Sequence, residues 1–277
     1  MYTAFYGLRE KPFSLTPDPR FLFLSASHRE ALAHVLYGIE QGDGFMVLTG
    51  EVGTGKTTLC RTLLERLGPD TEVAFLFNPT LSGAELLHAI SGEFGLSAEG
   101  RSRAELHDQL NQFLLRMKGD DRRVLLIIDE AQNLATGTLE EIRLLSNLET
   151  STAKLIQILL FGQPELDEKL ASRELRQLQQ RVTVRWRLAP MSAPETFEYV
   201  RHRVRIAAGG ERRLFTESAL SEIRRRTRGV PRLVNLLCDR CLLSGYAAGA
   251  RQIGRERVAD AALELLATRR RVPAARA

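Results

Sequence analysis

Apolar positions recur along this chain in two rhythms, and the change from one to the other divides it. In the first two thirds, short apolar-rich runs alternate with longer stretches at helical spacing. The runs at 45–49, 73–77, 124–128, 155–161 and 182–188 predict five strands. The run 124–128 carries no polar side chain, as expected of a strand buried on both faces of a parallel sheet. Helical spacing occupies 57–67, 82–94, 103–118 and 138–149. This strand-helix-strand order predicts an α/β fold, a parallel sheet with helices on both faces. From Pro194 onward only helical patterns remain, at 194–207, 216–227, 231–248 and 255–267, and they predict a small separate helical bundle. Ahead of the first strand, residues 1–44 form a lead-in. Pro12, Pro17 and Pro19 exclude regular helix over 11–19. Ser27, with Glu30 three residues later, then reads as a capping box. It opens a helix through Ala31, Leu32, Val35, Leu36 and Ile39 that stops at Gly42-Asp43-Gly44. The expected division is 1–188, lead-in included, and 189–277, with a disordered tail over 268–277.

Composition narrows the class without naming a function. The 277 residues are 44% hydrophobic and 26% charged, enough to bury a core without covalent staples. No apolar run approaches the roughly 20 residues of a membrane span, and the first ten residues do not read as a signal peptide. Three cysteines are an odd count and suggest a reducing compartment. Cys238 and Cys241 form a C-x-x-C inside a helical pattern with no second pair; they read as small core residues, a metal or redox pair being the alternative. Charge is uneven. Residues 1–188 hold 21 Lys+Arg against 25 Asp+Glu, whereas residues 189–277 hold 18 against 9. The basic C-terminal third is either a solvated helical face or a surface for nucleic acid, anionic lipid or an acidic partner.

The chemistry is concentrated after the first strand. Gly50-Glu51-Val52-Gly53-Thr54-Gly55-Lys56-Thr57 fits G-x-x-x-x-G-K-[ST], with a strand before it and a helix after it. Glycines let successive N–H groups turn inward around phosphates. The helix presents its positive end to the same anion. Lys56 supplies a point charge to the β and γ phosphates and Thr57 a hydroxyl for Mg²⁺. The nucleotide-binding set is Gly50, Glu51, Val52, Gly53, Thr54, Gly55, Lys56, Thr57 and Thr58, and its ligands are ATP and Mg²⁺. The third strand ends in Asp129-Glu130, at the carboxyl edge where such sheets bind ligands. Asp129 is the second metal ligand and Glu130 the group that polarises the attacking water. Gln163, after the fourth strand, is placed to reach between that water and the γ-phosphate; its alternative is an ordinary polar loop residue. Asn78, after the second strand, is a candidate to hold Glu130 inactive until ATP and a partner arrive. Arg181, Arg176 and Arg232 are candidates to stabilise phosphate charge. For Arg181 the alternative is a pair with a surface acid.

Together these motifs resemble an AAA+ ATPase, in which a P-loop domain is followed by a helical lid. Phe5-Tyr-Gly-Leu8, Pro12-Phe13, Pro17-Asp-Pro19, Ser27-His-Arg-Glu30, Asp129-Glu-Ala-Gln-Asn133, Gly162-Gln-Pro-Glu-Leu166 and Val230-Pro-Arg-Leu-Val-Asn-Leu-Leu-Cys-Asp239 are similar, more narrowly, to the general secretion pathway protein A (ExeA-like) group. The resemblance covers nearly the whole chain. It implies ATP hydrolysis, a polar sensor at Gln163, an arginine finger at Arg181 acting on a neighbouring subunit, and a lid sensor at Arg232. It also implies a loop at Pro12 and Phe13 beside the adenine. The implied setting is a cytoplasmic homo-oligomer, at the inner membrane through a protein partner of a secretion or pilus machine. A DNA-associated ATPase of the transposition-regulator type is the alternative.

Overall fold

The computed structural model describes residues 1–16, 18–77, 79–150 and 153–271, with side chains through residue 265. Its elements are α1 (Tyr2–Tyr6), α2 (Ala26–Gln41), β1 (Phe45–Gly50), α3 (Lys56–Leu64), β2 (Thr71–Phe77), α4 (Gly83–Glu93), α5 (Arg103–Gly119), β3 (Arg123–Asp129), α6 (Thr136–Leu145), β4 (Gln157–Gly162), α7 (Pro164–Leu170), α8 (Arg176–Gln179), β5 (Val184–Leu188), α9 (Ala193–Ala208), α10 (Glu217–Thr227), α11 (Pro231–Ala247) and α12 (Arg255–Arg271). Two compact units result. Residues 28–52 and 56–188 form one; residues 1–27, 53–55 and 189–277 form the other.

The first unit is a five-stranded parallel sheet in the order β2-β3-β4-β1-β5. Its interior strands β1 and β4 are buried throughout. Successive side chains on a strand point to opposite faces, so each strand feeds two cores. Phe45, Val47, Leu126, Ile128, Ile158 and Leu160 join one core with residues of α4, α5 and α6. Met46, Leu48, Leu125, Ile127, Leu159 and Phe161 are equally buried on the alternate positions. Helix α2 approaches that second face so closely that a Cβ at Gly38 would sit 2.9 Å from the Met46 sulfur. The edge strand β5 alternates, with Arg185 and Arg187 outward, and these charges protect an edge from further pairing. Ser82–Glu85 and Ser102–Glu105 form reciprocal capping boxes at α4 and α5, each contributing about 1 kcal/mol.

The second unit corrects the reading of the lead-in. Residues 1–27 belong with 189–277, and only 28–44 go with the sheet. Tyr2, Tyr6, Leu8, Phe13 and Phe21 pack into one core with residues of α9 to α12. Arg203 of α9 is buried and holds the Pro-rich segment by its carbonyls. Nε donates to the Pro12 oxygen at 2.5 Å and Nη2 to the Ser14 oxygen at 3.2 Å. The guanidinium also lies 4.8 Å from the centre of the Phe21 ring, a cation–π contact. A chain that cannot hydrogen-bond as a helix is thus satisfied by a side-chain donor. Ser27 does not cap α2, which starts one residue earlier; its Oγ instead accepts from the Ala189 N–H at 3.0 Å. Cys238 and Cys241 lie fully buried in this core as free thiols. Helix α12 runs to Arg271, so the expected tail begins later, and residues 272–277 lie outside the described ones.

Glu222 of α10 concentrates charge in this unit. Its buried carboxylate accepts from Arg225 at 2.5 Å and Arg226 at 2.8 Å, with Arg255 at 3.7 Å. The arginine donors hold its pKa at about 2, against an ordinary 4.5. A depressed folded pKa stabilises above the ordinary value, and that contribution fades as pH falls through the folded one. Glu222→Gln is therefore expected to lower stability near neutral pH by about 1–3 kcal/mol. It should also flatten the loss of stability between pH 4.5 and about 2. Thermal unfolding across that range checks both.

Candidate functional site: a P-loop and its carboxylates

Strand β1 delivers the chain to Gly50, and α3 begins at Lys56. Between them the backbone takes left-handed turns at Gly53 (φ 82°) and Gly55 (φ 101°), which only glycine adopts without strain. Gly53 is doubly constrained, since a Cβ there would lie 2.5 Å from Cβ of Arg232. The Arg232 N–H, at the start of α11, donates to the Gly53 oxygen at 3.2 Å. Pro231 at the first helical position leaves that N–H available without spending one of its own. The Arg232 side chain is exposed.

Lys56 is only 5% exposed, and its ammonium donates to the carbonyls of Gly50 at 2.7 Å and Glu51 at 3.3 Å. Burial lowers its pKa, opposed by the charges of Glu130 and Asp129. A buried cation resting on two neutral carbonyls is under-compensated, and an anion in the loop would complete it. Thr57, next on α3, donates its hydroxyl to Oδ2 of Asp129 at 3.0 Å. Asp129 ends β3 with no exposed surface and also accepts from the Glu130 N–H at 2.9 Å. Burial raises its pKa despite those two bonds. A hydroxyl and a buried carboxylate sharing one small volume are hard oxygen donors, which suits Mg²⁺. Thr58 is exposed on the first turn of α3, and its carbonyl accepts from Thr62.

Glu130 follows in a left-handed conformation, φ 56°, which costs a non-glycine residue roughly 1–2 kcal/mol. Two amides hold its carboxylate: Gln132 Nε2 at 2.5 Å and Gln163 Nε2 at 3.0 Å. Burial would raise its pKa, but these donors and the Lys56 charge outweigh it, so the pKa lies below the ordinary range. The adjacent acids are pushed in opposite directions, a pattern that separates roles.

Gln163, expected between an attacking water and the γ-phosphate, donates its amide to the Glu130 carboxylate. Gln132 of the Asp-Glu-Ala-Gln-Asn motif, for which the sequence carries no signal of a role, is the closer partner of Glu130. Arg181 bonds the Ser146 carbonyl and hydroxyl, both at 3.3 Å, while Arg176 is exposed on α8. Phe13 is not free to face a base, because its ring is 2% exposed and meets Phe215 edge-on. Pro12 is buried beside it, whereas Leu15 in the same loop is 50% exposed. Asn78 lies outside the described residues.

The chain is similar to known proteins. Residues 39–170 match the model of an AAA domain. General secretion pathway protein A of Aeromonas hydrophila is 46% identical over 266 residues, 96% of this chain and 48% of that protein. The chain belongs to the AAA+ class, in the general secretion pathway protein A family. It spans about half the length of that curated relative. Two solved structures share the AAA+ fold at low identity. The Aeropyrum pernix ORC2 protein, solved as ADPNP-ADP complexes, is 19% identical with a TM-score of 0.65, covering 92% of this chain and 71% of its own. Drosophila ORC bound to DNA is 18% identical with a TM-score of 0.70, covering 96% and 66%.

Within an AAA+ frame, Lys56 and Glu130 should separate binding from hydrolysis. Lys56→Ala is expected to weaken ATP binding at least tenfold, because it deletes the buried positive charge of the loop. Glu130→Gln retains shape and both amide neighbours, so it should bind ATP within about threefold of wild type and lose hydrolysis by about 10²-fold or more. Nucleotide titration and phosphate release on the two variants check this pair.

Proposed function

We propose that the chain binds ATP with Mg²⁺, hydrolyses it, and uses the cycle as a motor or switch in assembling a secretion or pilus complex of the cell envelope. The observation that carries the hydrolytic part is the convergence of Lys56, the Thr57–Asp129 pair and an oriented Glu130 at the carboxyl edge of one parallel sheet. The envelope role is supported by 46% identity to general secretion pathway protein A.

The P-loop N–H groups and Lys56 would bind the phosphates. Thr57 and Asp129 would hold Mg²⁺, which when bound supplies charge neutralisation at the β and γ phosphates. Glu130 takes the proton of the attacking water, and its low pKa keeps it ionised and ready at neutral pH. Gln163 is the proposed residue that orients that water, and Arg232 the proposed sensor of phosphate charge. No helix among the described residues is long and apolar enough to cross a membrane. The proposed placement is the cytoplasmic side of the inner membrane, through a protein partner.

Arg181 is the proposed finger for a neighbouring subunit. Its two hydrogen bonds go to the neutral carbonyl and hydroxyl of Ser146 and are only partly buried, and the nearby Glu149 carboxylate feels its charge without a direct bond to it. A finger in trans contributes about 10³–10⁵ in rate, so hydrolysis would depend on homo-oligomerisation. Specific activity is expected to rise with protein concentration. Arg181→Ala should bind ATP and barely turn over, and mixing it with Lys56→Ala should restore part of the activity. Turnover independent of concentration, with no rescue on mixing, rules the finger out.

The DNA-associated reading has one observation in its favour, the excess of 18 basic over 9 acidic residues in 189–277. Several of those charges are already paired, as at Glu222. Duplex binding is expected no tighter than about 10⁻⁴–10⁻⁶ M at physiological salt. Nanomolar, ATP-dependent binding in a salt titration would replace the envelope reading with this one.

A further inference from the structure

The two amides that hold Glu130 use the same oxygen. Gln132 and Gln163 both donate Nε2 to Oε2, and among the described residues Oε1 receives no hydrogen bond. Gln132 also does something Gln163 does not. Its own Oε1 accepts the backbone N–H of Gln163 at 3.0 Å. One side chain therefore spans from the acid after β3 to the loop after β4. Its orientation is fixed chemically: a flipped amide would set oxygen against carboxylate and NH₂ against N–H, losing both bonds. The loop that carries it is clamped from α7, where the Lys169 ammonium donates to the carbonyls of Gln132 at 2.6 Å and Leu134 at 2.7 Å. Glu130 meanwhile sits in a left-handed backbone conformation that persists only where its surroundings enforce it.

We infer that Gln132 is a positioning residue for hydrolysis: with Gln163 it saturates Oε2 of Glu130, leaves Oε1 as the oxygen that takes the water's proton, and ties that orientation to the loop bearing Gln163. A carboxylate with one oxygen engaged by two donors cannot rotate freely, so the remaining oxygen points in one direction. Because Gln132 also fixes the Gln163 backbone, movement of either residue displaces the other. The inference rests on the hydrolytic reading above.

The test uses the full chain, with steady-state ATP hydrolysis, ATP affinity and thermal unfolding measured together. Gln132→Ala should lower kcat on the order of tenfold to a hundredfold, the equivalent of one charge-assisted hydrogen bond, while KM for ATP stays within about twofold. Gln132→Glu keeps the size of the side chain and sets a second carboxylate against Glu130, so it should be at least as slow. In a Glu130→Gln background, Gln132→Ala should cost little more, since the group it positions is gone. The unfolding temperature of Gln132→Glu separates a lost orientation from a lost fold. A wild-type chain that turns over beside Gln132→Ala and Gln132→Glu chains of equal kcat overturns this inference alone. So does a Gln132→Ala loss that is fully additive with Glu130→Gln. A wild-type chain that binds ATP and releases no phosphate overturns the hydrolytic reading and this inference with it.

Discussion

The bond between Thr57 and Asp129 is the constraint around which the site is organised. Asp129 ends a strand whose residues 124–128 are wholly apolar, and it has no exposed surface. A carboxylate in that position must be compensated, or it neutralises. Thr57 supplies a hydroxyl from the first turn of α3, reaching from the P-loop past β4 to β3 in the sheet order. That one contact fixes the phosphate loop relative to the acidic edge. It also places Lys56, one residue earlier, where the charges of Asp129 and Glu130 act on it. The parallel sheet makes the arrangement possible, because β1, β3 and β4 all end at the same edge.

From that edge outward, restraint is divided between hydrogen bonds and packing. Asp129 is fixed by Thr57 and its own following N–H, Glu130 by two amides, and Gln132 by Lys169. Behind them lie apolar strands buried on both faces, which leave little room for the acids to relax. Thr49 of β1 adds a direct tie to α7 through Asp167 at 2.6 Å. Helix α7 is therefore joined to the P-loop strand on one side and to the Gln132 loop on the other. The site is built on the ends of strands, with loops stiffened by side chains from an adjacent helix.

Much of this was legible from residue order. The five apolar-rich runs became the five strands, each within two residues of its expected bounds, most plainly at β3, where burial on both faces needs an unbroken apolar run. The P-loop and the Asp-Glu pair were legible because glycine, lysine and paired acids have few other reasons to follow a strand in that order. What escaped was long-range. The aromatic residues of the lead-in have no period, so nothing local says that Tyr2, Tyr6, Phe13 and Phe21 share a core with α9 to α12. Helices α1, α7 and α8 span 5, 7 and 4 residues, too short for helical spacing to register. Ser27 matched a capping pattern, yet its hydroxyl was claimed by a residue 162 positions away. Gln132 stood two residues after the acid it holds, and only the left-handed turn at Glu130 brings the two side chains together.

The central claim is that Asp129 and Thr57 form the metal-bearing half of an ATP site. ATP affinity measured by calorimetry with and without Mg²⁺, on the wild-type chain and on Asp129→Asn, tests it most directly. Asparagine preserves shape and the Thr57 contact but removes the negative charge. The account predicts that Mg²⁺ strengthens ATP binding to the wild-type chain and that Asp129→Asn loses most of that gain while retaining metal-free binding. An equal gain from Mg²⁺ in both proteins, or no ATP binding by the wild-type chain at all, would contradict it.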